Sequence, residues 1–201
     1  MTSRERILAI SYEHKLSHIG SCLSALPILE EIFSKKKPED KVVLSSGHAG
    51  LALYVVLESL GEGNAERMLE TQGIHPTRLP GENLIDVSTG SLGQGLPISV
   101  GLALSDRSRG VHCLVSDGEA MEGSIYESLK IARDLKLDNL HVIVNSNGWG
   151  AYSAIDQDQL ERQLTAIGFP IDFRRTDSDI GTWAVGLASH YKPADEELLK
   201  I

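Results

Sequence analysis

The sequence is short of several things, and each shortage excludes a class of protein. Cysteine occurs twice, at Cys22 and Cys113, and no Asn-x-Ser/Thr sequon is present. Both facts fit a reducing, cytoplasmic compartment. No apolar run approaches the ~18–20 residues that span a bilayer, so no membrane role is expected. The first residues alternate charge and hydrophobe at helical spacing, unlike the basic-then-apolar build of a signal peptide. Positive charge is scarce too. Nineteen Lys and Arg stand against 28 Asp and Glu, a net charge of −9, where a nucleic-acid footprint would need a clustered basic surplus. With no internal repeat and no low-complexity linker, the 201 residues read as one domain.

What is present is the composition of a packed globule, 41% hydrophobic and 23% charged. Apolar residues at helical spacing predict helices over 4–14 and Leu23–Phe33. Lys41–Leu44 is a short strand running into Ser45-Ser46-Gly47-His48, and Leu51–Leu60 an apolar helix stopped at Gly61. Residues 61–95, rich in Gly and Pro, read as an extended surface excursion. Ile98–Leu104, small and apolar, reads as a buried helix. Val111–Val115 and Leu140–Val144 are nearly continuous apolar runs, as expected of parallel strands covered on both faces. A helix from about Glu122 to Leu135 lies between them. Strand, helix, strand is a βαβ unit, so the predicted fold is a doubly wound, mostly parallel α/β sheet with helices on both faces. Ligands sit at the carboxyl ends of such strands, where Asp117–Glu119 and Asn145–Asn147 fall.

A carboxylate at Asp117, an amide oxygen at Asn147 and a nearby backbone carbonyl are hard oxygen donors of the kind Mg²⁺ takes, its other positions going to phosphate oxygens and water. Gly118 lets the backbone approach those phosphates. Each cluster alone also fits a plain turn, Asp117-Gly118 with a helix cap and Asn145–Asn147 as a second turn.

The spacing of the two clusters changes that balance. SDGEAMEGSIYESLKIARDLKLDNLHVIVNSN resembles the thiamine-diphosphate motif, and its E-x-x-E-G-S-x-Y-E, K-L-x-N-L and N-x-N pieces resemble the transketolase family. SHIGSCLSALPILEEIF, VVLSSGHAGLALYVVL and HPTRLPGENLIDVSTGSLGQGLPISVGLAL are similar to further motifs of that family, in the family's order. SHYKPADEELLK is similar to a segment of its N-terminal subunits. The resemblance covers roughly residues 5–155 well and 180–200 thinly. It implies a thiamine-diphosphate-binding fold of the diphosphate-binding (PP) type over 1–201, with thiamine diphosphate and Mg²⁺ (or Ca²⁺ or Mn²⁺) as cofactors.

Carried over residue by residue, the resemblance implies that Asp117, Asn147 and the carbonyl of Trp149 ligate the metal. It sets Ser116, Gly118, Glu119 and Asn147 along the cofactor, with His48 and His190 near the diphosphate and the reacting carbon. Gly90 and Leu92 match backbone positions that meet the aminopyrimidine, and His18 and His75 match residues that contact a ketose donor. Glu122 matches the acid linking paired active sites. His14, His112 and His141 match nothing, and the cysteines read as packing residues. The Asp117 carboxylate is expected to face the cleft and to carry no core packing.

Departures from the family pattern are also visible. Ser116 replaces the first Gly of G-D-G, and its side chain needs room. Asn145 stands where Asp is frequent, and Ser189 replaces a Trp. Only about forty residues separate Asn147 from His190, where the family normally inserts another helix and strand, so 156–183 is expected to be abbreviated, with a strand lost from the sheet. The resemblance implies the N-terminal subunit of a split transketolase, a transferase moving a two-carbon ketol unit from a ketose-type donor. A complementary pyrimidine-binding subunit would supply the glutamate that activates the aminopyrimidine, in a heterotetramer of two copies each. Two other readings stand beside it: a subunit of a 2-oxoacid dehydrogenase or deoxyxylulose-phosphate-synthase type enzyme, and a non-catalytic assembly subunit. The histidines at 18, 48 and 75 suit a polyhydroxylated donor, and the joint presence of Asp117, Asn147 and Glu122 speaks for a working site.

Overall fold

The structure, a computed structural model, describes residues 1–81 and 84–201, with Leu199 described by its backbone alone. Glu82 and Asn83, inside the HPTRLPGENLIDVSTG motif, lie outside the described residues. Helix α1 (Ser3–Glu13) opens on a capping box. The Thr2 hydroxyl accepts from Glu5 N–H, and the Glu5 carboxylate accepts from Thr2 N–H at 2.8 Å. Helix α2 (Ile19–Lys35) begins four residues before the periodicity predicted, at His18, whose left-handed backbone (φ 60°) turns the chain into it. Pro27 sits inside α2 on its solvent side, while Ile19–Leu26 on the same helix is buried.

Strand β1 (Lys41–Leu44) leads through a short turn at Gly47–Ala49 into α3 (Gly50–Ser59). The Gly/Pro-rich stretch that follows is not wholly irregular. It contains α4 (Ala65–Gln72), capped by the Asn64 side chain, which accepts from Arg67 N–H at 2.9 Å. Next come α5 (Gly95–Ser105), β2 (Val111–Ser116), α6 (Gly123–Asp134) and β3 (Leu140–Ser146). Helix α5 is not buried as expected: Ile98 is 41% and Leu104 48% exposed. The segment expected to be abbreviated by a strand keeps one, β4 (Ile171–Arg175), after a helix α7 (Gln157–Thr165) and before the short α8 (Ala188–Tyr191).

The four strands form one parallel sheet in the order β1-β2-β3-β4. One face packs α1, α2 and α3 through Ile7, Ile10, Leu29, Tyr54 and Leu57 against Leu44, Leu114 and Ile143. The other packs α5, α6 and α7 through Leu96, Ile125, Leu129, Leu160 and Leu164 against Val43, Cys113, Val115, Val142 and Val144. Alternate residues of the inner strands therefore enter two different cores, which is why those strands read as unbroken apolar runs. Strand β4 differs, since Ile171 and Phe173 pack on the second core while Arg174 pairs with Asp172 and Glu31. Both cysteines are buried and unpaired, and burial pushes both thiols upward, Cys22 to about 12. Among the described residues no helix is long and apolar enough to cross a membrane.

Candidate active site

The β2–β3 register sets Ser116 beside Asn145, and Asp117 N–H continues the ladder to the Asn145 carbonyl at 3.0 Å. The two polar clusters are thereby brought together at the carboxyl ends of neighbouring strands. A cleft of about 230 Å³ opens there. His18, His48, His75, Gly90, Leu92, Ser116, Asp117, Gly118, Glu119, Asn147, Trp149 and His190 all line it, from seven separate stretches of chain.

Asp117 is 1% exposed. One carboxylate oxygen accepts from Gly118 N–H at 2.9 Å. The other accepts from Gly148 N–H at 2.7 Å and from the Ser146 hydroxyl at 3.3 Å. Asp117 lines the cleft as expected, but the expectation that it matters little to the packing is corrected: it is buried, and its carboxylate pins the β3 turn to the β2 turn. No cation faces it among the described residues, and burial pushes its pKa up to about 6. The Asn147 amide oxygen accepts only from Trp149 N–H at 3.0 Å, and the Trp149 carbonyl accepts nothing among the described residues. A carboxylate lacking a counter-charge, an amide oxygen and an unoccupied carbonyl form a donor set that fits a hard divalent cation. The one His/Cys/Asp/Glu trio close enough to share an ion among the described residues, Glu13, His14 and Glu66, lies elsewhere on the surface.

The neighbouring departures have physical reasons. The Ser116 side chain finds room by folding onto its own turn, where its hydroxyl accepts from Glu119 N–H at 3.3 Å. Asn145 is buried and needs an amide, since it donates to Ser24 Oγ at 3.0 Å and accepts from Thr176 Oγ1 at 2.5 Å. Ser189 is small because a Cβ on Gly20 would lie 2.7 Å from its own, so α2 and α8 approach closely there. The Glu119 carboxylate accepts from the Ser45 hydroxyl at 2.6 Å and from Gly93 N–H at 2.8 Å. It ties the glycine-rich loop to the end of β1. Its second oxygen is buried without a partner, and burial raises its pKa to about 7.

Four histidines converge. The His18 and His48 rings lie 5.3 Å apart, and Tyr191 stands edge-on to His18 at 5.6 Å. His75 is held against Gly90, where a φ of +144° and a Cβ that would fall 3.0 Å from the His75 ring leave no place for a side chain. Burial lowers His48 to about 3 and His190 to about 4, with neighbouring histidines adding to the shift. These rings are neutral at pH 7. His14, His112 and His141 stay outside; the last two stack at 4.8 Å on β2 and β3. Glu122 is the one candidate not in the cleft. It is exposed at the start of α6, makes no capping bond, and lines an adjoining depression with Leu92, Met121 and Tyr152.

The sequence reading missed Ser21, Ser24, Ser146 and Tyr191. Ser21 was visible in principle, because the three-residue step from His18 sets both on one side of a helix start. Tyr191 closes the mouth by donating to the Ala151 carbonyl at 2.6 Å.

Fold and site together define an α/β domain whose strand ends bring hard oxygen donors and neutral imidazoles into one cleft. Residues 2–184 match the family described as transketolase, thiamine diphosphate binding domain, and the chain belongs to that family. It is 36% identical over 167 residues to one subunit of the apulose-4-phosphate transketolase of Phocaeicola vulgatus, covering 72% of this chain and 58% of that protein. It is 36% identical over 154 residues to human transketolase, covering 66% of this chain and 24% of that one. A solved transketolase from Leishmania mexicana superposes with a TM-score of 0.65 at 25% identity, over 83% of this chain and 30% of its own. The chain thus spans little more than half of one curated relative and about a quarter of the other.

Proposed function

We propose that this chain is the diphosphate-binding subunit of a transketolase-type transferase, which moves a two-carbon ketol unit from a ketose-type donor to an acceptor. The observation that carries the reading is the buried Asp117 carboxylate, without a counter-cation and flanked by the Asn147 oxygen and the free Trp149 carbonyl. In this reading those three groups hold Mg²⁺, for which Ca²⁺ or Mn²⁺ can substitute. Ser116, Gly118, Glu119 and Asn147 lie along the cofactor, and Gly90 and Leu92 meet its aminopyrimidine. Thiamine diphosphate, when bound, supplies the electron sink for breaking the donor's carbon–carbon bond.

The chain's own residues bind and orient. Neutral His48 and His190 offer N–H groups to oxygen acceptors near the diphosphate. His18 and His75 take donor hydroxyls, and the His18, His48 and Tyr191 rings keep water from the enclosed end of the cleft. Glu122, on the outer wall, faces a second active site in the assembly. The pyrimidine-binding domain that completes a transketolase site, with the glutamate that activates the aminopyrimidine, belongs to a second polypeptide. The Phocaeicola relative is itself named as one subunit of its transketolase, which supports that division, and we infer two copies of each chain. Two buried, unpaired cysteines support a cytoplasmic setting.

Assay with hydroxypyruvate tests the reading. The purified chain should turn over none, and adding the complementary pyrimidine-binding subunit should restore turnover. Robust turnover by the chain alone would overturn the need for a partner. Preference of the assembled enzyme for pyruvate would move it to the 2-oxoacid or deoxyxylulose-phosphate class.

A further inference from the structure

One buried pair in the cleft allows its hydrogen atoms to be counted. Ser21 Oγ lies 2.7 Å from His190 Nδ1. Ser21 is 4% and His190 7% exposed. Ser21 stands in the first turn of α2 and His190 in α8. The backbone joins the same two elements, because His18 N–H donates to the His190 carbonyl at 2.6 Å. The contact therefore belongs to a fixed seam and not to two side chains that happen to meet.

A serine hydroxyl carries one proton, and a neutral imidazole carries one on either nitrogen. Among the described residues Ser21 Oγ has no hydrogen-bond partner other than Nδ1. Were the ring proton on Nδ1, it would occupy the contact and leave the hydroxyl proton of this cleft-lining serine with no acceptor among the described residues, which is costly for a buried group. With the ring proton on Nε2 the hydroxyl donates to Nδ1, both ends of the contact are satisfied, and Nε2–H alone is left to be met, against a hydroxyl proton and a ring nitrogen in the other tautomer. Nε2 is itself enclosed and without a partner.

We propose that Ser21 is a positioning residue: its hydroxyl donates to His190 Nδ1, fixes the Nε2–H tautomer, and so makes His190 a hydrogen-bond donor to a ligand oxygen and not a base. The inference rests on the cleft being the cofactor and donor site, but the tautomer belongs to the chain before any ligand binds. The chemistry that completes Nε2–H is an acceptor oxygen, from a diphosphate or from the hydroxyl or carbonyl of a ketose-type donor. Neutrality of the ring at pH 7, which burial and His18 enforce, is what gives the tautomer consequence.

Long-range ¹H–¹⁵N spectra of the full chain labelled with [¹⁵N]histidine test this, with His190→Gln identifying the signals. Wild type should show His190 as a single Nε2–H tautomer at neutral pH. Ser21→Ala should shift the tautomer ratio about fivefold, the weight of one neutral hydrogen bond, and Ser21→Thr should restore it. An Nδ1–H tautomer in wild type, or the same ratio in Ser21→Ala, would overturn the proposal. Thiamine diphosphate with Mg²⁺ and then hydroxypyruvate are added to the chain assembled with its complementary partner. A shift of Nε2–H at the first addition names the diphosphate as acceptor, a shift only at the second names the donor, and no shift at either overturns the donor role. Calorimetric failure of the cofactor to bind at all would instead remove the functional reading and leave the tautomer result standing.

Discussion

The two ends of the sheet carry two very different hollows. At the amino ends of the strands a groove of about 660 Å³ runs beneath Ile32, Leu140, Ile143 and Phe169, rimmed by Glu31, Lys35, Asp172 and Arg174. The cleft at the carboxyl ends is about a third of that size. In the groove the rim charges answer one another: Arg174 pairs with Glu31 and Asp172, and Lys35 pairs with Glu31. Even His112 Nε2, the one buried groove atom without a hydrogen bond among the described residues, faces Asp40 at 3.5 Å. In the cleft, among the described residues, Asp117 has no counter-charge, and Glu119 Oε2 and His190 Nε2 have no partner. The larger hollow is chemically complete and the smaller is not. A ligand site is marked here by polar groups left waiting, since an unmet buried donor or acceptor is costly, and not by volume.

The largest expected effect breaks the comparison at its strongest point. Asp117→Asn keeps the shape of the metal ligand and removes its charge. It should weaken binding of thiamine diphosphate with Mg²⁺ to the assembled enzyme by roughly 2–3 kcal/mol, about 30–150-fold. Calorimetric titration reads the difference directly. Arg174→Ala, in the groove, should leave that affinity unchanged. Equal affinities for wild type and Asp117→Asn would mean that the unpaired carboxylate is not a metal site, and that incompleteness had misled.

Acid should separate the two ends next. His190 is held neutral at about 4, against 6.5 when unfolded. Between those values the unfolded chain binds more protons, so the histidine's contribution is intact above pH 6.5 and is lost as the pH falls toward 4. Asp117 and Glu119, raised to about 6 and 7, act with the opposite sign in an overlapping window, so the difference between two proteins is the diagnostic quantity. His190→Gln cannot titrate. Relative to wild type it should gain up to roughly 3 kcal/mol on going from pH 7 to pH 4, as measured by urea unfolding at each pH. Parallel stability curves would show that the ring is not buried in its neutral form.

How far each end was legible in the sequence follows from its packing. Runs such as Val42–Leu44, Leu114–Val115 and Val142–Val144 announced strands because both faces are covered, and the Asp117 and Asn147 clusters fell at their ends. Strand β4 was missed because only Ile171 and Phe173 enter a core, while Asp172 and Arg174 alternate with them. Helix α7 offers two buried leucines, Leu160 and Leu164, on an otherwise polar segment. Helix α4 hides among Gly61, Gly63 and Gly73, and only its Asn64 cap signals it. The burial of α5 was misjudged because an apolar helix does not say what covers it. The Ser21–His190 contact joins positions 169 apart, a distance over which one sequence holds no pattern.

The smallest expected effect concerns the groove and sharpens the comparison from its other side. If the rim charges exist to satisfy one another on a one-sided edge strand, removing the central guanidinium should cost little stability and no function. Glu31 is drawn down to about 2 by its bonds to Arg174 and Lys35. A lowered acid stabilises above its unfolded value of 4.5 and loses that contribution only as the pH falls toward 2, well below the window in which His190 acts. Solvent screens these half-exposed pairs. Arg174→Ala should therefore lower the melting temperature only slightly at low ionic strength, and the difference from wild type should vanish in about 0.5 M salt. A loss that persisted in high salt, or any fall in hydroxypyruvate turnover by the assembled enzyme, would mean that the groove is more than a satisfied edge, and the contrast drawn from its paired charges would fail.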